Sequence, residues 1–293
     1  MFQRPLICTD LTDGLQRLVH FIPSLAANGM QQITFLHAVP FSQRQTIPQI
    51  DEAKAQAARD RLSSAQTSLP ENVKVNIEIQ GGKPLDCILN AVKIYKPDLI
   101  ILGTSSQGAL SGRLFGSTLS ELSKRAVAPL LILRPQLLST YTIEELELRC
   151  RHLFRYLLVP FNGSKASNYS VEKIKQLAVN RPPDFLQKCL LYWVIEEGNY
   201  SDLLESCITP EIRQKLESAE TELQSLGIEV LSQIAQGESV PQTLNVATEQ
   251  DISAIACSSG SFGTFVEWSV PSFASEILKR SWYPVLYFPP QRG

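Results

Sequence analysis

The stretch DLIILGTSSQGALSGRLFGSTLSELSKRAVAPLLILRP, residues 98–135, decides the fold. An apolar run, LIIL (99–102), stops at Gly103, and a small, polar loop follows with further glycines at 108, 112 and 116. A helix-like segment near 117–127 then leads into a second apolar run, PLLIL (129–133). Short runs that are apolar on both faces and separated by helices mark parallel strands, because crossover helices must then cover both sides of the sheet.

Working outward, the same alternation fills the first half. Apolar runs stand at PLICT (5–9), QITFLHAV (32–39) and VKVNIEI (73–79), with helix candidates at 12–27, 50–68 and 84–95. The second half repeats the order with YLLVPF (156–161), KCLLYWVI (188–195), GIEVLSQIA (227–235), ISAIAC (252–257) and PVLYF (284–288). Asp98 is expected to fall on Asp251, and Pro129 on Pro284, which indicates two copies of one domain. The expected fold is α/β: two tandem Rossmann-like domains, each with a five-stranded parallel sheet and helices on both faces. The expected boundaries are 1–137, a helical connector at 138–154 and 155–293. Thr142 and Glu145 form a capping-box pattern for that connector, and Thr209, Pro210 and Glu211 an N-cap and first turn in the second copy.

Hydrophobic residues make up 44% of the 293, enough for two packed cores, and 27 basic against 29 acidic side chains leave a formal charge of -2. Such a balance offers no basic patch, so nucleic acid is not an expected partner. No window approaches about 18 uninterrupted apolar residues, so no membrane span is expected. The six cysteines lie far apart without a CxxC pair and read as reduced and structural, which suits the cytoplasm; the N-terminus has no signal-peptide pattern.

In an open parallel sheet, ligands bind beyond the carboxyl ends of the strands where the strand order reverses. The loop after Gly103 is in that position. Its glycines let backbone amides approach an anion, the helix starting near Gly116-Ser117-Thr118 offers free amides, and Ser117 and Thr118 add hydroxyls. A P-loop is excluded because Ala109 and Leu110 stand where that motif needs Lys and Ser or Thr. A dinucleotide fold is disfavoured because PLICTDLTDG lacks the GxGxxG pattern after the first strand.

With CTD (8–10), LHAV (36–39), GKP (82–84), DLIILG (98–103) and GSTLSELSKRAVAPLLILRP (116–135) in this order and spacing, the chain resembles the universal stress protein family in its tandem form. The resemblance implies an adenine nucleotide alpha hydrolase-like fold, a stress-response role, ATP with Mg in the first copy only, and pairing through fifth strands. That pairing would join PLLIL and PVLYF about a pseudo-two-fold axis within the chain, with a homodimer as a further level of assembly. The family motif is Gly, two residues, Gly, nine residues, Gly and Ser or Thr; here Gly103, Gly116 and Ser117 match and Ser106 replaces the second glycine. By resemblance Asp10 and Ala38 flank the adenine, while Gly103, Ser106, Gly116, Ser117 and Thr118 surround ribose and phosphates. Where a left-handed backbone is needed, the Cβ of Ser106 costs on the order of 1–2 kcal/mol.

The second copy departs further. Asn162 replaces Asp10, Ala256 and Ser259 are expected at the two early glycine positions, and Pro271-Ser272 replaces Gly116-Ser117. A proline there removes an amide that would face phosphate. Among the histidines, His37 reads as a packed strand residue, and His20 and His152 have no ligand partners at metal spacing. Asp13 reads as a helix-start acid and Asp10 as the better functional candidate. No GxSxG elbow with a following acid and base is present, so no catalytic group is assigned. The charged, alanine-rich segment 45–70 reads as a solvated helix in the position of a lid. A binding protein that holds ATP is the leading expectation, a nucleotide-free interaction scaffold the alternative, and slow ATP hydrolysis the weaker third.

Overall fold

The structure, a computed structural model, describes residues 1–41, 49–103, 117–125, 128–134, 142–196, 208–259 and 272–290, with the backbone alone at 117, 120, 124 and 125. The chain divides into two compact units, residues 2–151, and residues 152–293 with Met1.

In the first unit the strands are β1 (Pro5–Cys8), β2 (Gln32–Val39), β3 (Lys74–Gly81), β4 (Leu99–Gly103) and β5 (Leu130–Leu133). They stand side by side in the order β3-β2-β1-β4-β5, all parallel, with β1 between its crossover partners: Leu6 opposes Thr34 on one side and Ile100 on the other. The chain leaves β1 toward one side of the sheet order and returns at β4 on the other. The carboxyl ends of β1 and β4 therefore bound the crevice where the order reverses. Every residue of β1 and β5 is buried, which is why these runs carry no polar alternation, whereas β3 at the far end of the order alternates as Val75, Ile77 and Ile79 do.

The helices are α1 (Ile22–Ala27), α2 (Glu52–Leu62), α3 (Pro84–Tyr95), α4 (Ser117–Arg125) and α5 (Ile143–Arg151). The single helix expected at 12–27 is two segments, a 3-10 turn at Leu15–His20 and α1, because Pro23 has no amide to continue the first into the second. The helix expected at 50–68 likewise ends at Leu62 and finishes as a 3-10 turn, Ser63–Gln66. Asp51 caps α2 by accepting from the Lys54 amide, and Ala55, Ala58 and Leu62 turn inward; the approach at 42–48 lies outside the described residues. In α5, Thr142 Oγ1 accepts from the Glu145 amide at 3.1 Å, and Leu146 and Cys150 are buried. Asn28 Nδ2 fastens α5 to the first unit by donating to the Cys150 carbonyl at 2.8 Å.

The second unit repeats the plan with β6 (Tyr156–Pro160), β7 (Lys188–Ile195), β8 (Glu229–Gln236), β9 (Ala254–Ser258) and β10 (Val285–Phe288), ordered β8-β7-β6-β9-β10 and parallel. Its helices are α6 (Lys165–Ala178), α7 (Pro210–Gln224), α8 (Ser239–Glu249) and α9 (Phe273–Arg280). Thr209 caps α7 through the Ile212 amide with Pro210 in the first turn. Among the described residues no helix is long and apolar enough to cross a membrane, and Cys8, Cys87, Cys150, Cys189 and Cys257 are free and buried.

The strand ladders correct the internal alignment. Pro5 opposes Leu99 and Leu157 opposes Ala254, so Ala254 is the counterpart of Leu99. Asp98 donates its amide to the Arg4 carbonyl, and its carboxylate accepts from the Gln3 and Arg4 amides; Ser253 does both jobs toward Tyr156. Asp251 instead matches Lys96, both left-handed residues just past a helix end, with φ of 49° and 45°. Ser258, not Ala256, thus stands where the first copy has Gly103.

Candidate functional site

Building up from β1, the chain turns immediately after the strand. Asp10 Oδ1 accepts from the Thr12 amide at 2.7 Å and from its hydroxyl at 2.8 Å, an Asx turn that holds Leu11 at φ 66°. The Asp10 side chain stays exposed at the carboxyl end of β1. Ala38 is half-buried near the end of β2 and Gly103 closes β4, so with Asp10 two residues past β1 they lie at the carboxyl ends of three adjacent strands in the order β2-β1-β4. Ser117 begins α4 and Thr118, half-buried, follows in its first turn, with Leu119 and Leu122 buried beneath. Ser106 and Gly116 lie outside the described residues, as does the Ser117 side chain.

Asp13 accepts from the first amide of the 3-10 turn, as a helix-start acid does, but it is also buried. It is 3% exposed and forms the centre of a network: Oδ1 accepts from the Thr9 hydroxyl at 2.8 Å and the Leu15 amide at 3.0 Å, and Oδ2 from the Asp10 amide at 3.4 Å. Thr9 in turn accepts at its carbonyl from His37 Nδ1 at 2.9 Å, which requires the proton on that nitrogen. Removal from water pushes the Asp13 carboxyl up to about 6; the Asp10 charge adds to the rise, while the Thr9, Leu15 and Asp10 donors oppose it.

This acid explains Gly103. A Cβ at residue 103 would lie 2.6 Å from Asp13 Oδ2 and 2.7 Å from its Cβ and Cγ, so the glycine is required by a buried side chain of its own unit. Nothing in the residue types marks Asp13 as buried; the available signals are the adjacent Gly14, the apolar Leu15 and a strand-terminal glycine in need of a neighbour.

The second unit has a crevice of about 230 Å³ at the matching place, between the carboxyl ends of β6, β7 and β9 and the starts of α6, α8 and α9. Asn162 keeps the Asx turn, its Oδ1 accepting from the Ser164 amide at 3.1 Å, with Gly163 at φ 69°. Lys165, the counterpart of Asp13, is exposed. Ser258 is buried, and its hydroxyl donates to the Phe288 carbonyl at 2.7 Å. Ser259 Oγ shares a 2.7 Å bond with the Tyr287 hydroxyl, whose acidity burial weakens to about 12. Pro271 lies outside the described residues. Among those residues no three His, Cys, Asp or Glu side chains converge in a metal-like cluster.

Comparison with known proteins agrees with this fold. The model of the universal stress protein family matches residues 1–134. A universal stress protein from Archaeoglobus fulgidus has a similar structure over 97% of both chains, with a TM-score of 0.68 and 18% identity. A functionally unknown protein from Pseudomonas aeruginosa is similar over 99% of this chain and 93% of its own, at 0.63 and 12%. A universal stress protein in complex with cAMP matches 45% of this chain and 97% of its own at 18% identity, with a TM-score of 0.31. No curated protein matches the sequence significantly. The first unit carries a universal stress protein domain over residues 1–134, and the second unit repeats its strand order.

Proposed function

We propose that the protein is a cytoplasmic stress-response binding protein whose first unit takes ATP, with Mg, in the crevice between β1 and β4. Asp10 and Ala38 flank the adenine in this reading, and Gly103, Ser106, Gly116, Ser117 and Thr118 surround ribose and phosphates. The observation that supports it is that Ala38 near the end of β2, Asp10 two residues past β1 and Gly103 at the end of β4 follow three strands that are adjacent in the sheet, where its order reverses. No residue is given a part in turnover, and the reading is one of recognition: Asp13 is held by three donors, and His37 Nδ1 by the Thr9 carbonyl.

Titration calorimetry of nucleotide-stripped protein with Mg-ATP tests this. One site per chain, lost in Gly116→Pro, is expected; no heat at ATP concentrations up to about 1 mM would overturn it. One observation favours the nucleotide-free scaffold instead. The Asp13 carboxylate packs on Gly103, so above about pH 6 a negative charge lies beneath the phosphate end of the crevice. Under that reading ATP gives no heat at pH 8 or at pH 5.5. In either reading we propose that β5 and β10 pair about a pseudo-two-fold axis, with a homodimer as a further level of assembly. Crosslinks that hold these strands apart would refute the pairing, and a molar mass independent of concentration at the monomer value would refute the dimer.

A further inference from the structure

The described wall of the second unit's crevice is rich in hydrogen-bond acceptors. Four of its lining hydroxyls already give their proton away: Ser170 to the Ala166 carbonyl at 3.1 Å, Thr243 to the Ser239 carbonyl at 2.7 Å, Ser258 to the Phe288 carbonyl at 2.7 Å, and Ser239 to Glu196 Oε1 at 2.7 Å. A hydroxyl has one proton and two lone pairs, so each of these four is left with acceptor capacity. Among the described residues no Lys or Arg lines the crevice, and Glu196 is the charged side chain of its wall.

The helix starts reinforce this. Ser164 Oγ accepts from the Ser167 amide at the head of α6, and Ser272 Oγ from the Ser275 amide at the head of α9. Each cap takes one of the amides that its helix start would offer an anion. The volume, about 230 Å³, is below the roughly 300–1,000 Å³ of pockets for drug-sized ligands, so the occupant is small.

We propose that this crevice binds a small organic cation carrying N–H donors, of the amine or guanidinium class. Its donors are received by Ser170, Ser239, Thr243 and Ser258, and its charge by Glu196 at the exposed mouth, which the Ser239 hydroxyl orients. The two crevices of the chain then accept ligands of opposite charge, and the second unit has changed its specificity rather than lost its site.

The test follows the backbone amides of Glu196, Ser239 and Ser258 by nuclear magnetic resonance in the full-length protein. Ethanolamine, putrescine and agmatine are titrated to about 10 mM, with glycerol and inorganic phosphate as contrasts. Saturable shifts with at least one amine are expected, unchanged in Gly116→Pro and about threefold to fivefold weaker in Glu196→Gln. Because Glu196 is exposed, that variant keeps the fold. Saturation by phosphate, saturation by glycerol equal to that by the amines, amine binding unaffected by Glu196→Gln, or no saturable shift with any probe would each overturn the proposal.

Discussion

The turns after β1 and β6 have the same backbone and opposite interiors. Both are Asx turns on the second residue past the strand, Asp10 or Asn162, and both put the next residue in the left-handed region, Leu11 at 66° and Gly163 at 69°. Three positions on, the copies diverge: Asp13 folds inward, whereas Lys165 faces solvent. The residue ending the fourth strand changes with it. Where Asp13 occupies the space there is Gly103; the counterpart strand ends in Ser258, whose side chain bonds the end of β10. A motif glycine therefore records a packing partner as much as an approach to ligand, and motif degeneracy in the second copy is a coupled exchange.

The sharpest way to break this comparison is Gly103→Ala. Its Cβ meets Asp13 at distances no side chain tolerates, and about 3 kcal/mol of stability should be lost in urea denaturation. Adding Asp13→Gly should restore much of it. Additive losses in the double variant would show that the two positions are not coupled.

Next in size is the pH dependence set by Asp13. Its folded-state carboxyl holds a proton up to about pH 6, while the unfolded chain releases it near the ordinary value of 3.8. Between these limits the folded state binds more protons, so this contribution to stability is full below about pH 4 and is lost as the pH rises through about 6. Asp13→Asn should remove a fall of roughly 2 kcal/mol across that interval. Denaturation curves with the same slope against pH in both proteins would contradict the assignment.

The smallest effect concerns the shared turn. Gly163→Ala should cost about 1 kcal/mol, because the left-handed backbone penalises a Cβ while the nearest neighbour, the Lys215 side chain 2.7 Å away, is long enough to swing aside. A loss above roughly 3 kcal/mol would mean that the second turn is far less tolerant than the one that carries Leu11.

Much of the fold was legible because burial on both faces writes itself into composition. QITFLHAV and KCLLYWVI coincide with β2 and β7, and α3 runs from Pro84 to Tyr95 as its proline start and the Lys96-Pro97 exit imply. The break between the 3-10 turn and α1 was hidden by continuous amphipathic spacing across Pro23. The alignment through Asp98 and Asp251 failed because the ladder fixes register, and a two-residue shift preserves the apolar pattern while moving the polar cap from Asp98 to Ser253. Asp10 and Gly103 are legible from their position at the carboxyl edge, Ala38 only through the family resemblance. The burial of Asp13 and the acceptor-rich wall of the second crevice are not legible, since both depend on which partner each side chain meets rather than on residue type.

If nucleotide is recognised in the first crevice and not in the second, as proposed, the two units differ toward a photoreactive nucleotide. Photolabelling with an azido-ATP analogue, followed by peptide mapping, tests it most directly. The account predicts ATP-competable label confined to peptides containing Asp10 and Ala38; label on peptides containing Tyr192 to Glu196, or none that ATP displaces, would contradict it.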